Sequence, residues 1–308
     1  MGRRLTLEEV QARQSFSRMG WALAAQMGSM LATQVVLTLA AMLLCPEVTG
    51  QPVFLWAVTA LSAYGVGFPV FCLVLRGTPA PARPAPRPMG PLELLKMLAG
   101  ALCALYLTNF LTLQIIQALG YLLGTTPVNP VEQTTEYPLV LNLVLGCLIA
   151  PVCEELMFRR MLLERLRPWG EGFAVVASAL CFGLFHGNLS QFFYSTAVGI
   201  VLGIAAVRSG SLWQCMLLHA ALNAVSVGLV PLMEMLGSTG ELVVAGVVMF
   251  SILVGGFCLR SLYRHLQFQP ARPDLPAEGR WGLFLGSPGM IGFCLLWGML
   301  SATYLIQG

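Results

Sequence analysis

Charge is what this sequence has least of. Only 10% of its 308 residues are Asp, Glu, Lys or Arg, whereas soluble domains carry about 25%. One lysine, Lys96, stands against sixteen arginines. The net charge of +3 is no signature of a nucleic-acid binder, because the basic residues sit in short clusters between apolar runs. No stretch reads as a soluble domain, and no internal repeat is evident. A small-residue cleavage site is also missing after the first apolar run, which is too long for a signal-peptide core and reads as a retained span. The nine cysteines (45, 72, 103, 147, 153, 181, 215, 258 and 294) all fall within or at the ends of apolar segments. That placement suits small lipid- or core-facing side chains better than disulfides. Histidine is scarce too, with three in the chain.

What remains is apolar. The chain is 57% hydrophobic, and at about 20 residues per span it divides into nine candidates. These are 19–44, 52–75, 97–123, 138–158, a short fifth at 173–186, 189–207, 212–233, 242–259 and 283–306. A polar amphipathic segment, 1–14, precedes the first, and a proline-rich extended connector occupies 77–88. A polar loop follows at 124–137, and a second polar connector at 260–280. All 17 Lys and Arg lie in or beside the N-terminus, the 76–96 connector, the 159–167 patch, Arg208 or the 260–280 connector. Those are alternate loops, and the intervening ones carry none. The positive-inside rule therefore places the N-terminus in the cytoplasm and the C-terminus outside. The expected fold is all-α, a polytopic transmembrane bundle of eight to nine spans. The expected location is the cell membrane, with membrane lipids as surroundings and no nucleic acid as partner. The Arg, Ala and Gly content suggests a GC-rich prokaryote and its plasma membrane.

Residues 139–167, LVLNLVLGCLIAPVCEELMFRRMLLERLR, organise the chain. An apolar run delivers Glu154 and Glu155 to membrane depth, where ionisable groups are expensive and usually functional. The two acids lie ~100° apart on a helix, so they are expected to serve different tasks. Glu155 precedes Arg159 by four residues, the favourable orientation for an ion pair that orients the helix. Glu154 is then left free. Pro151 cannot donate to the carbonyl four residues back, which predicts a kink just before the acids.

His265 lies in a connector and reads as a solvated loop residue. His186 and His219 lie inside the fifth and seventh spans. Asn223 follows His219 by four residues and shares its helical face, and Phe182 bears the same relation to His186. His219 lies ~12 Å along its helix from the basic end, close to Glu154. His186 lies ~22 Å from Glu171, which is too deep unless the outer turn is recessed or the helix tilts. Cys215, one turn before His219, has no electropositive setting to make it a thiolate nucleophile. Phe192, Phe193 and Tyr194 suit packing at the outer interface. Asn109 and Asn142 suit interhelical hydrogen bonding.

Together, Glu154-Glu155-x-x-x-Arg159, Phe182-x-x-x-His186 and His219-x-x-x-Asn223 resemble the three-motif signature of the CPBP intramembrane proteases. That family includes the type II CAAX prenyl endopeptidases and the bacterial Abi proteins. Each motif alone is weak, but all three in order on separate spans are a strong signal. The resemblance covers about residues 138–233. It divides the chain into N-terminal helices with the connector (1–137), a CPBP-like protease core (138–236) and C-terminal helices (237–308). It implies an endopeptidase acting on a membrane-associated peptide or protein. Glu154 would activate water with help from His186, while His219 and Asn223 would stabilise the oxyanion. Glu155, Arg159 and Phe182 would support them. Zn2+ held by Glu154, His186 and His219, with Glu155 as base, is compatible with the same residues; metal-free glutamate catalysis is preferred because Asn223 suits hydrogen bonding better than ligation. Two other readings use the same residues. One is a non-catalytic scaffold or bacteriocin-immunity protein, and the other a transporter or proton relay.

Overall fold

The structure, a computed structural model, describes residues 6–82, 85–130, 137–272 and 279–306. Among these residues the regular secondary structure is helical throughout. Ten helices are numbered here in chain order: α1 (Leu7–Leu44), α2 (Pro52–Leu75), α3 (Pro91–Leu123), α4 (Leu139–Trp169), α5 (Glu171–Phe185), α6 (Leu189–Ser209), α7 (Leu212–Met233), α8 (Ser238–Arg264), α9 (Arg280–Leu285) and α10 (Pro288–Ile306). Eight of them are long and apolar enough to cross a membrane. The expected fifth span falls short: α5 has 15 residues, ~22 Å against a hydrocarbon core of ~30 Å. Gly187 ends it, at φ +70, and the Asn188 side chain caps α6 by accepting from Gln191 N at 2.9 Å. The turn after His186 is therefore tight.

Several boundaries differ from the sequence expectation. The amphipathic segment and the first span form one helix, because no Gly or Pro interrupts residues 7–19. Thr6 starts it with a reciprocal capping box to Glu9. Its 38 residues run ~57 Å, so one end must extend beyond the hydrocarbon core. The helix expected at 97–123 begins at Pro91, the first-turn position where proline's missing N–H costs nothing. The last span is broken into α9 and α10 at 286–287.

Helix α2 runs parallel to α4. Trp56 Nε1 donates to Leu141 O at 2.9 Å, Tyr64 meets Glu154, and Cys72 Sγ lies 3.9 Å from Met161 Sδ. The numbers rise together along both helices, as required when one antiparallel helix, α3, separates them. Helices α5 and α6 form an antiparallel hairpin, α3 packs along α6 and α8, and α1 packs along α10. Most of the buried apolar side chains belong to α1, α4, α5 and α6.

The basic connectors pack across one end of this bundle. Arg18 Nε donates to Val74 O at 2.8 Å, and Arg165 Nε to Thr78 O at 3.2 Å. Gln214 clamps Met89 from both sides, accepting from its N–H at 2.9 Å and donating to its carbonyl at 2.8 Å. Arg272 N donates to Pro168 O at 2.8 Å, and Glu171 takes Gln269 N at 2.9 Å. The described parts of both connectors are thus pinned by hydrogen bonds. They gather the described arginines of the N-terminal, 76–90, 165–171 and 260–272 segments at the same end, as the alternation of basic loops requires.

Candidate active site

Helix α4 is not regular around its acids. Wide π-helical turns at Leu145–Ile149 and Leu156–Leu163 flank the short α-helical piece Ala150–Glu155. Such turns mark functional places in many helices. Pro151 accounts for the end of the first. In that turn Ala150 N donates to Leu145 O, so the next donor in the series would be residue 151 toward Gly146 O. Proline has no N–H to give. The side-chain amide of Asn223 takes that carbonyl instead, at 2.7 Å.

The two acids are almost closed off, with Glu155 0% and Glu154 6% exposed. Glu155 Oε2 lies 3.1 Å from Arg159 Nε, as the spacing predicts. The approach is close enough for an ion pair but off the hydrogen-bonding line, so charge rather than direction holds that side. Arg159 belongs to the expected basic patch yet is only 2% exposed. Its guanidinium reaches Gly199 O at 3.4 Å and lies 4.7 Å from the centroid of the Phe182 ring. Gly199 lets α5 pack close against α6 here: a Cβ there would sit 3.1 Å from Ala179 Cα and 3.2 Å from Phe182 Cδ1.

Glu155 has a second partner that spacing alone did not supply. Its Oε1 accepts from His219 Nδ1 at 2.8 Å. A carboxylate can only accept, so Nδ1 carries the proton. The opposite ring nitrogen, Nε2, faces Glu154 Oε2 at 3.9 Å. His219 therefore stands between the two acids, bonded to one and facing the other. Nor is Glu154 free, as the sequence reading had it: Tyr64, from α2, donates its hydroxyl to Oε1 at 2.6 Å.

His186 caps the C-terminus of α5. Its Nδ1 lies 2.9 Å from Phe182 O, which can only accept, so this nitrogen also carries a proton. Its Nε2 lies 3.4 Å from Ser195 Oγ. Phe182 touches both imidazoles, meeting His186 edge-on at 5.0 Å and His219 edge-on at 5.7 Å between centroids. Neither contact is stacked. The buried Cys215 thiol is turned toward Leu202 O, away from any nucleophile role.

The structure thus brings Glu154, Glu155, Arg159, Phe182 and His219 together, with His186 against the same Phe182 ring. Asn223 is held by the first π turn of α4. Glu154 and His219 are 6% and 5% exposed, and His186 is half-buried. The residues fail the test for zinc as arranged. Among the described residues no three His, Cys, Asp or Glu side chains converge as a metal would need. Three of the four imidazole nitrogens already face protein partners within 3.4 Å, and the fourth faces Glu154 alone.

Sequence reasoning missed Tyr64 and Ser195. Tyr64 carried a usable signal, because a hydroxyl in mid-span must find a partner. Ser195 carried none, since a helical serine ordinarily bonds back to its own helix. Residues 136–225 match the family model of the Rce1-like type II CAAX prenyl endopeptidases. No curated protein and no solved structure matches the chain. The matched segment holds Glu154, Glu155, Arg159, Phe182, His186, His219 and Asn223, and leaves Tyr64 outside it. Over the segment that carries these residues, the chain is similar to the CAAX protease family.

Proposed function

We propose that this protein is an intramembrane endopeptidase that hydrolyses a peptide bond of a membrane-associated substrate, with Glu154 as the base. The observation that carries the reading is His219 standing between two buried acids, bonded to Glu155 and facing Glu154. Glu155 fixes the ring and its tautomer, which leaves the working nitrogen opposite the working carboxylate. Similarity of residues 136–225 to the type II CAAX prenyl endopeptidases supports the same chemistry.

The steps follow from the residues. Glu154 Oε2 takes a proton from water as its oxygen attacks the scissile carbonyl carbon. His186, its Nδ1–H engaged by Phe182 O, presents Nε2 to hold that water. In its imidazolium form His219 donates from both nitrogens, to Glu155 and to the developing oxyanion. When the C–N bond breaks, Glu154 returns its proton to the departing amine. A positioned base contributes roughly 10²–10⁴-fold, and an oxyanion donor roughly 10²–10³-fold. Asn223 contributes by holding the first π turn, and its remaining amide hydrogen is available to the oxyanion.

By the family's printed name, the first substrate to try is a prenylated C-terminal peptide. The purified protein in liposomes should cleave such a fluorogenic peptide, and Glu154→Gln should not. Comparing the peptides of cells carrying the wild type and Glu154→Gln extends the search to unprenylated substrates. A Glu154→Gln variant with the wild-type rate and peptide profile would end the reading.

A proton relay draws on the same array, Tyr64–Glu154–His219–Glu155–Arg159. That array terminates on a buried arginine, 2% exposed, which gives a proton nowhere to go. Hydrolysis is the better use of these groups.

A further inference from the structure

We infer that Tyr64 is a positioning residue of this site: it holds Oε1 of Glu154 and thereby leaves Oε2, facing His219, as the working oxygen. The inference rests on the proposed hydrolase reading and adds to it a residue from outside the family-matched segment.

The geometry is specific. The phenol donates at 2.6 Å, within the 2.5–2.7 Å range of O–H···O⁻ bonds, which are about twice as strong as neutral ones. Its acceptor is 6% exposed, so little water is present to substitute for it. A carboxylate with no fixed partner turns about its last bond and exchanges its two oxygens. Here one oxygen is bonded from α2 and the other faces His219 Nε2 at 3.9 Å from α7. The acid is thus gripped between two helices that flank α4, and its two oxygens are no longer equivalent.

The backbone around Tyr64 is also unusual. It sits inside the π-helical turn Leu61–Gly67 of α2, opposite the stretch of α4 that lies between two further π turns. At the far end of the same turn, a Cβ on Gly67 would fall 3.0 Å from Gln26 Nε2 and 3.2 Å from Gln26 O of α1. The widened turn is thus packed against α1 on one side while it presents Tyr64 to Glu154. Trp56 on Leu141 O and Cys72 beside Met161 fix the register of α2 on α4 on either side of the phenol. A tyrosine that merely filled space would not need the hydroxyl. A phenylalanine of the same shape separates the two roles.

The experiment uses the full-length protein, and its first arm needs no substrate. Carboxylate stretching bands are recorded by infrared difference spectroscopy for wild type, Tyr64→Phe and Glu154→Gln, the last serving to assign the Glu154 band. Tyr64→Phe should shift the band that Glu154→Gln removes while the melting profile stays near wild type. In the second arm, cleavage of the prenylated peptide by Tyr64→Phe should fall roughly 10–100-fold in kcat, as for one hydrogen bond to a charged group. KM should change less than about twofold, since only the reacting geometry is lost. In the Glu154→Gln background, Tyr64→Phe should cause no further loss. An unshifted Glu154 band would overturn the inference, whatever the activity. A shifted band together with a fully active Glu154→Gln would overturn the hydrolase reading and leave the Tyr64–Glu154 bond standing.

Discussion

Asn223 donates its amide to the carbonyl of Gly146 at 2.7 Å, the group that Pro151 leaves without a donor in the first π turn of α4. The two residues lie 77 positions apart, yet one supplies what the other's neighbour lacks. A motif position that resembles a catalytic asparagine therefore has a structural task of its own.

That relationship predicts a coupled pair. Asn223→Ala should lower stability by roughly 0.6–1.7 kcal/mol, the scale of interhelical hydrogen bonds in membranes. Pro151→Ala restores a backbone donor to the turn, so adding Asn223→Ala to it should cost less than in the wild type. Melting curves of the four proteins in one detergent decide the matter, and strictly additive losses would refute the link.

Arg159 is expected to be needed for folding more than for chemistry. Its removal leaves Glu155, 0% exposed, without its arginine, and breaking a buried pair costs roughly 3–5 kcal/mol. Arg159→Ala should therefore give little folded protein. Adding Glu155→Gln should recover yield, because the glutamine oxygen still accepts from His219 while the uncompensated charge is gone. Monodispersity on size-exclusion chromatography is the measure. A wild-type yield for Arg159→Ala alone would show that Glu155 is stabilised elsewhere.

Chelation tests the donor geometry at Glu154, His186 and His219. Exhaustive treatment with a strong chelator should leave cleavage of the peptide within about twofold of the untreated rate. His186→Ala should slow turnover by roughly 10²-fold or more, as for loss of an assisting group, without changing metal content by elemental analysis. Stoichiometric zinc that tracks activity and is lost in both His186→Ala and His219→Ala would require these side chains to rearrange into a ligand set. Glu155 would then become the candidate base.

The orientation expected from the basic loops can be read at one thiol. Cys45 is the exposed cysteine of the nine, and it follows α1 at the end opposite the arginine-rich connectors. A membrane-impermeant maleimide applied to intact spheroplasts should label the wild type and fail on Cys45→Ser. Labelling that appears only after permeabilisation would invert the topology.

The sequence revealed most where a physical rule acts at short range. The Glu155–Arg159 pair followed from a four-residue spacing, and eight of the nine expected spans from lengths of apolar chain. The grouping of arginines followed from loop charge. What was not legible depended on the third dimension. No spacing says that His219 turns Nδ1 toward Glu155 rather than Glu154. Nothing local to α4 announces that Tyr64, ninety positions earlier, completes the shell of its acid. The π turns escaped for a related reason, since a helix of one extra residue per turn has no compositional mark beyond Pro151 at its edge. The merging of residues 7–14 into α1 was legible in principle, because no breaker separates them from the span.

The pairing of α1 with α10 has a consequence for how the protein is made. Gly289 N donates to Ser17 Oγ at 3.0 Å, and Arg13 reaches Gly286 O at 3.2 Å, across 272 and 273 positions. Helix α1 is synthesised hundreds of residues before the helix that seals its flank. Until then its face must be lodged against lipid, the insertion machinery or the half-built bundle. A ribosome stalled before α10 would leave a protein in which Glu154, His186, His219 and Asn223 are all present and α1 still lacks that partner.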